Sequence, residues 1–248
     1  MRQFLVRGGI TMLSATAVLF VSLPAGAASA ATRAHARPNI RVSHGVSNNW
    51  SGYALTGTGP YQSVSSSWTQ PAVNCEKTRN AYSAFWIGLD GYTSETVEQT
   101  GTEGMCSKGA PVYTAWYEMY PKYPVTYKET VLPGDSFTSS VQYLGRARFK
   151  LTLSDTTQGW SKTVTKRLRS AERSSAEVIA EAPSSSLGVL PLADFGTVDF
   201  SGFSVDGALV SSSTPGVEPI TMAGPGGKVK AEPSALSDGS FSDTWYSQ

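Results

Sequence analysis

Short runs in which apolar and polar residues alternate recur along most of the chain after residue 60. Alternation with a period of two is typical of β-strands that bury one face, and turn-forming residues separate the runs. No internal repeat and no low-complexity segment divides this region. The pattern predicts an all-β sandwich or barrel of antiparallel strands. The predicted strands span residues 62–68, 112–120, 136–143, 147–153, 162–168, 197–205 and 241–246.

Two segments do not show this alternation. Residues 170–182 hold four alanines and three glutamates, which is the composition of a solvated helix. The alternative for this segment is a strand at residues 177–182 that ends before Pro183. Residues 211–227 are rich in serine, proline and glycine and are predicted to form a long loop before the last strand.

The N-terminal segment has the layout of a secretory signal. Arg2 and Arg7 precede an apolar run at residues 10–23, and small-residue cleavage sites follow at 25–27 and 28–30. The apolar run is too short to span a bilayer comfortably. We therefore predict a signal peptide at residues 1–30, a short pro-segment or disordered lead-in at 31–47 and one domain at 48–248. The mature protein is expected to be extracellular, with no membrane association after cleavage.

The charge balance indicates which partners the protein binds, and the cysteine content indicates the compartment in which it is found. Five of the 20 basic residues are arginines that precede residue 45, which leaves 15 basic and 19 acidic residues in the rest of the chain. No basic stripe remains, so nucleic acid is not expected as a partner. Cys75 and Cys106 fit one disulfide of an exported protein, the alternative being two free thiols. The disulfide would join the two ends of the segment that contains Trp86 and Gln99.

The domain has few of the groups that enzymes usually employ. Both histidines, His35 and His44, precede it, so residues 45–248 contain no imidazole. This excludes Ser-His-Asp and Cys-His systems and argues against catalytic zinc. Ser-x-x-Lys, Gly-x-Ser-x-Gly, Asp-Thr-Gly and phosphate-binding glycine-rich motifs are also absent. Carboxylates and amides remain as the groups that could perform catalysis.

Five motifs occur in an order that resembles the glutamic peptidases, also called eqolisins. They are NWSGY at 49–53, FWIGLDG at 85–91, QTG at 99–101, AWYEMYP at 115–121 and AEVIAE at 176–181. The resemblance implies two packed antiparallel sheets, one of them curved to form a substrate cleft, and it favours the strand over the helix for residues 177–182. It further implies a secreted endopeptidase that acts on polypeptides and needs no cofactor, and we expect a monomer.

The resemblance also assigns roles to individual residues. Gln99 and Glu181 match the catalytic pair, in which a fixed amide donor stabilises the oxyanion and a glutamate acts as base and then as acid. Since an ordinary glutamate has a pKa of ~4.3, an acidic optimum is expected, although the 15 basic residues leave that optimum open. The residues matched to the substrate cleft are Trp50, Trp86, Asp90, Trp116, Glu118 and Tyr120.

Some of these residues also have plainer interpretations. Asp90 alone would be an ordinary turn aspartate before a glycine, and a lone tryptophan such as Trp50 is usually a core residue. Glu177 lies four residues before Glu181 and is interpreted as structural. Glu98 departs from the family pattern, and strand parity predicts that it points away from Gln99.

Two other classes of protein fit the same features. A β-sandwich rich in aromatic residues could be a non-catalytic carbohydrate-binding module. A glycoside hydrolase could use two of the acids, for example Glu118 with Glu181. The distance between those two carboxylates and the position of Gln99 separate these possibilities from a peptidase.

Overall fold

A computed structural model describes residues 45–248, and β-strands account for most of this region. No α-helix occurs in it, and its one helical turn is a 3-10 turn at Pro225–Gly227. The predicted signal peptide and nearly all of the predicted lead-in lie outside the described residues. The strands are β1 (Val46–Ser47), β2 (Trp50–Thr56), β3 (Ser63–Thr69), β4 (Ala81–Leu89), β5 (Val97–Ser107), β6 (Ala110–Tyr120), β7 (Val125–Thr126), β8 (Ser136–Tyr143), β9 (Arg148–Asp155), β10 (Trp160–Arg167), β11 (Ser175–Glu181), β12 (Ser184–Ser185), β13 (Gly188–Val189), β14 (Thr197–Val205), β15 (Ala208–Leu209), β16 (Val217–Ala223), β17 (Val229–Pro233) and β18 (Phe241–Trp245).

The strands form two layers that pack face to face. The first layer has the order β10-β9-β8-β3-β14-β18-β17, and the second has the order β2-β11-β4-β5-β6-β7. Strand β16 joins the layers, because it pairs with β17 on one side and with β2 on the other. Strands β4 and β5 of the second layer contact β3, β8 and β9 of the first. The predicted antiparallel sandwich is confirmed, and the short β1, which pairs in parallel with β16, is an addition to it.

The main core lies between the two layers. In β4, Phe85, Ile87 and Leu89 point into this core, and Phe85 meets Phe195 edge to face at 5.3 Å between ring centroids. The alternate β4 residues, Ala84 and Trp86, belong to a second apolar cluster on the opposite face of the same layer. Because both faces of β4 are buried, its sequence is mostly apolar and lacks the alternation of a strand with one solvated face.

The structure confirms one prediction for an irregular segment and corrects another. Residues 175–181 form strand β11, as the family resemblance favours, and not a helix. The predicted loop at 211–227 is corrected, because its residues 217–223 form strand β16. Strand β11 lies between β2 and β4, so its backbone groups are bonded on both sides and its side chains are buried on both faces. Such tertiary pairing overrides a local preference for helix. Val46 and Ser47, assigned to the lead-in, belong to the fold through β1.

The predicted disulfide is confirmed. Cys75 and Cys106 are bonded, with their Cα atoms 5.3 Å apart, and they join the loop before β4 to the end of β5. The bond therefore ties together the two ends of the hairpin that carries Trp86 and Gln99. Within residues 45–248 the structure contains no helix with the length and apolar character needed to cross a membrane.

Candidate active site

The face of the second layer that points away from the interlayer core brings the predicted catalytic residues together. We call it the active face. Strand parity places Glu181 of β11, Trp86 of β4 and Gln99 of β5 on this face. Its apolar part consists of Trp50, Ala54, Ala84, Trp86, Val97, Trp116, Ile179 and Ile220, with Tyr92 and Tyr120 packed against them.

Glu181 is held by hydrogen-bond donors at both of its carboxylate oxygens. The Trp86 indole Nε1 donates to Oε2 at 2.8 Å, and the Asn49 amide Nδ2 donates to Oε1 at 3.2 Å. The residue is only 7% exposed. Asn49 is itself buried and is fixed by the Ser47 hydroxyl, which donates to its side-chain oxygen at 3.1 Å. These donors fix the orientation of the carboxylate.

Glycines create the space that Trp86 occupies. A Cβ atom added at Gly101, which pairs directly with Trp86, would lie 2.5 Å from the Trp86 Cβ and 2.2 Å from the Phe85 carbonyl oxygen. A Cβ atom added at Gly88 would lie 3.1 Å both from a ring carbon of Trp86 and from the Gln99 Cβ. Trp50 meets Trp86 edge to face at 4.9 Å between ring centroids. The indole is therefore fixed from several sides, and its N–H points to Glu181.

Gln99 is oriented by Glu118. The Gln99 Nε2 donates to Glu118 Oε2 at 2.6 Å, and the two residues are direct cross-strand partners in β5 and β6. An amide nitrogen carries two hydrogens, and no other acceptor among residues 45–248 contacts Gln99 Nε2. Its second N–H is therefore available for a ligand. Because a carboxylate only accepts hydrogen bonds, Glu118 also fixes the amide with its nitrogen, and not its oxygen, turned towards β6.

Trp86 stands between the two predicted catalytic residues. Gln99 pairs with Gly88 on one side of β4, and Glu181 pairs with Ala84 on the other side. Trp86 lies midway between Gly88 and Ala84 on the same face, where its ring approaches Gln99 and its N–H bonds Glu181. The register thus places an amide donor and a carboxylate acceptor on opposite sides of one indole.

Asp90 does not belong to the active face. It is fully buried after β4 with φ of 72°, and its carboxylate accepts backbone N–H bonds from Glu172, Arg173 and Ser174 at 3.0, 2.7 and 2.8 Å. Its oxygens are therefore bonded to the segment that leads into β11. In this structure Asp90 therefore positions the segment that leads into the strand carrying Glu181. The expectation that it binds substrate stays a prediction.

Two further glutamates near Asp90 are buried, and each lies where strand parity predicts. Glu98 points into the interlayer core, away from Gln99, and burial together with the Asp90 charge raises its pKa to about 9. Glu177 is on the same face as Glu181, and burial, followed by the charges of Asp90 and Glu98, raises its pKa well above the usual range. Burial thus favours the protonated form of both groups, which makes them poorly suited to act as a base for catalysis in acid.

Comparison with known proteins identifies the family of this arrangement. The sequence model of the Peptidase A4 family matches residues 48–245, which include every residue of the active face. The chain belongs to this family. A curated relative, Aspergillopepsin-2 of Aspergillus niger, is 30% identical over 177 residues, and the match covers 62% of this chain and 62% of that protein. The predicted resemblance to the glutamic peptidases is thus confirmed.

Solved structures of the family show the same fold. Scytalido-glutamic peptidase, solved with a transition state analog inhibitor, is 26% identical with a TM-score of 0.70, and the match covers 80% of this chain and 98% of that one. Aspergilloglutamic peptidase from Aspergillus niger is 28% identical with a TM-score of 0.60, covering 67% of this chain and 99% of that one. These family members confirm the two-layer β-sandwich.

The structure adds Asn49 to the candidate site and shows that three of the predicted cleft residues, all tryptophans, are buried. Asn49 lies in the NWSGY motif, although the resemblance assigns no role to this position, and it donates directly to Glu181. Trp50, Trp86 and Trp116 are at most 2% exposed, so they form a buried layer beneath the surface of this face. Tyr120 remains partly exposed at the end of β6.

Proposed function

We propose that this protein is a secreted endopeptidase that hydrolyses polypeptides with Gln99 and Glu181. The observation that carries the proposal is the Glu181 carboxylate, which accepts one N–H bond at each oxygen from Trp86 and Asn49. A carboxylate held in this way is oriented, as a general base for a water molecule must be. The family membership and the likeness to solved glutamic peptidases support this assignment.

In the proposed reaction Glu181 first accepts a proton and later donates it. Glu181 removes a proton from a water molecule, whose oxygen adds to the peptide carbonyl carbon and forms a tetrahedral oxyanion. The free N–H of Gln99 donates to that oxyanion, and Glu118 keeps the amide nitrogen turned towards it. Glu181 then gives its proton to the leaving nitrogen, and the C–N bond breaks. No group with a pKa near neutrality is needed, which agrees with a domain that has no histidine.

The two rival functions are not favoured by the geometry. Carbohydrate-binding modules present exposed aromatic rings, whereas the three tryptophans of the active face are buried. For a glycosidase pair, Glu118 on β6 and Glu181 on β11 are separated by three strand spacings, about 14 Å between backbones. Paired glycosidase carboxylates are about 5 to 9.5 Å apart. In addition, Glu118 already accepts a short hydrogen bond from Gln99.

The direct test is to replace each member of the pair and measure digestion of an unfolded protein from pH ~3 to ~7, a range that spans the usual glutamate pKa. We expect Glu181→Gln and Gln99→Ala each to lower kcat/KM by about 10²-fold or more, because one removes the base and the other removes the oxyanion donor. Wild-type activity is expected to peak in the acidic part of this range.

Matched controls exist on surfaces far from the active face. Gln142 on β8 and Glu76 in the loop before β4 are exposed, so Gln142→Ala and Glu76→Gln should retain wild-type activity. Proteolysis that persists in both Gln99→Ala and Glu181→Gln would show that the assignment is wrong. Export is supported by the disulfide between Cys75 and Cys106, since such bonds persist in oxidising compartments.

A further inference from the structure

A depression of about 790 Å³ opens beside the segments that hold Glu181. Leu190 and Pro191, which follow the β12–β13 hairpin, line one part of it, and Pro225 lines another. Three polar residues, Asn48, Lys230 and Gln248, also line it. The depression therefore combines apolar walls with a single cationic side chain.

Its lining is connected to the candidate catalytic carboxylate through the backbone. Asn48 directly precedes Asn49, whose amide donates to Glu181 at 3.2 Å. The Leu190 N–H donates to the carbonyl of Pro183, two residues after Glu181, at 2.8 Å. The depression is thus lined by segments that adjoin Asn49 and Pro183, next to Glu181.

Lys230 is unusual among the lysines of this structure. It is 8% exposed, and its Nζ donates one long hydrogen bond, 3.4 Å, to the Asn48 carbonyl. No carboxylate oxygen of residues 45–248 lies within 4.0 Å of Nζ. An ammonium group has three donors, and lysine is seldom buried without an anionic partner. Burial alone lowers the pKa of Lys230.

The nearest acid along the same strand does not supply that partner. Glu232 lies two residues further along β17 and shares a face with Lys230, but it is exposed to solvent and makes no ion pair with Lys230. Burial of an unpaired ammonium costs free energy, and an anionic ligand would offset that cost. Because the depression adjoins segments next to Glu181, a bound substrate is the natural source of such an anionic ligand.

We propose that the depression is a substrate subsite in which Lys230 binds the side-chain carboxylate of an aspartate or glutamate near the scissile bond. The proposal rests on the peptidase function above and adds a substrate preference to it. The side-chain methylenes of the substrate residue would pack against Leu190, Pro191 and Pro225, while the carboxylate would accept N–H bonds from Nζ. A substrate residue without a carboxylate would leave the buried ammonium group unpaired, so the subsite would bind it less well.

The test compares peptides that differ only in one carboxylate. A glutamate is moved stepwise along a short peptide, each peptide is paired with its glutamine counterpart, and kcat/KM is measured at pH ~5.5, where an ordinary glutamate is ionised. At one position we expect wild type to favour glutamate by about tenfold, and Lys230→Met to abolish that ratio while still cleaving the glutamine peptide. Lys228→Met, an exposed lysine two residues away, should keep the ratio.

Failure of the subsite and failure of the peptidase function give different results. Equal kcat/KM ratios in wild type and Lys230→Met at every position would overturn the subsite and leave the peptidase function standing. If no peptide is cleaved, the peptidase function fails, and direct titration of the same peptide pairs still decides the subsite. In that titration, tighter binding of the glutamate peptide that disappears in Lys230→Met supports it, and equal binding overturns it. Lys230→Glu provides a second check, because it should shift the preference towards lysine at the same position.

Discussion

At the scale of single residues, the Trp86 indole is the element on which the proposed chemistry depends most. Its N–H donates to Glu181 at 2.8 Å while its ring lies against the position of Gly88, next to the Gln99 Cβ. Replacement of Trp86 by Phe keeps an aromatic ring in the glycine-lined space but removes the donor. We expect kcat to fall by about tenfold or more with little change in KM, since a hydrogen bond to a charged group contributes about 1.5 to 3 kcal/mol.

Trp160 offers a matched control for that substitution. Its indole N–H also makes one hydrogen bond, to the Thr130 carbonyl at 3.0 Å, but on β10 of the first layer. Trp160→Phe should therefore leave kcat and KM unchanged. A Trp86→Phe enzyme with wild-type kcat would show that the indole N–H does not orient Glu181 in the reaction.

At the scale of strands, β4 and β5 depend on glycine where they cross the site. Gly101 faces Trp86, and an added Cβ would meet the Phe85 carbonyl at 2.2 Å, which no side-chain adjustment can relieve. We expect Gly101→Ala to lower the free energy of unfolding by about 3 kcal/mol or more and to reduce activity, because the strands must separate or Trp86 must move. Denaturant unfolding measured beside an activity assay checks both effects.

The control for Gly101 is a glycine with room for a side chain. At Gly224 an added Cβ would lie 3.8 Å from its nearest neighbours, and φ is −83°, which any residue adopts. Gly224→Ala should change the free energy of unfolding by no more than about 0.5 kcal/mol. Equal stability of Gly101→Ala and wild type would contradict the close packing of β4 against β5.

The strands also show which parts of the fold the sequence can predict. Strands of the first layer have one solvated face, so their alternation is visible, and predicted strands such as 136–143 and 197–205 match β8 and β14. Strands β4 and β11 are buried on both faces and show no such pattern. Strand β16 contains Pro219 and follows a turn-rich stretch, so composition alone suggests a loop.

The sequence also predicts part of the site, namely the residues that a motif or strand parity identifies, but not the contacts between distant segments. Parity within one strand places Trp116 and Glu118 on a common face, and the family motifs assign Gln99 and Glu181. The contact between Asn49 and Glu181 joins residues 132 positions apart, through the pairing of β2 with β11. Such pairing depends on the whole topology, and no local pattern encodes it. The bonding of Asp90 to residues 172–174 was hidden for the same reason.

At the scale of the whole molecule, several buried carboxyl groups are expected to make the fold more stable in acid than in alkali. Burial raises the pKa of Glu98 to about 9 and the pKa of Asp243 to about 8, and it also raises the pKa of Glu177. In the unfolded chain these groups ionise near pH ~4, so between that pH and the folded pKa the folded protein binds more protons. We therefore expect the free energy of unfolding to decrease as pH rises, by about 1.4 kcal/mol per pH unit for each group.

Glu98 tests this linkage most directly, because its side chain points into the interlayer core and away from Gln99. Glu98→Gln removes one ionisable group while it keeps the size of the side chain. We expect the variant to resemble wild type near pH ~4 and to lose less stability between pH ~5 and ~8, since one fewer buried group must hold its proton there. Denaturant midpoints measured across this range give the slope, and Glu95→Gln, at an exposed position, should keep the wild-type slope. If Glu98→Gln also keeps that slope, the Glu98 carboxyl does not hold its proton in the folded state, and the acid preference of the fold must come from other groups.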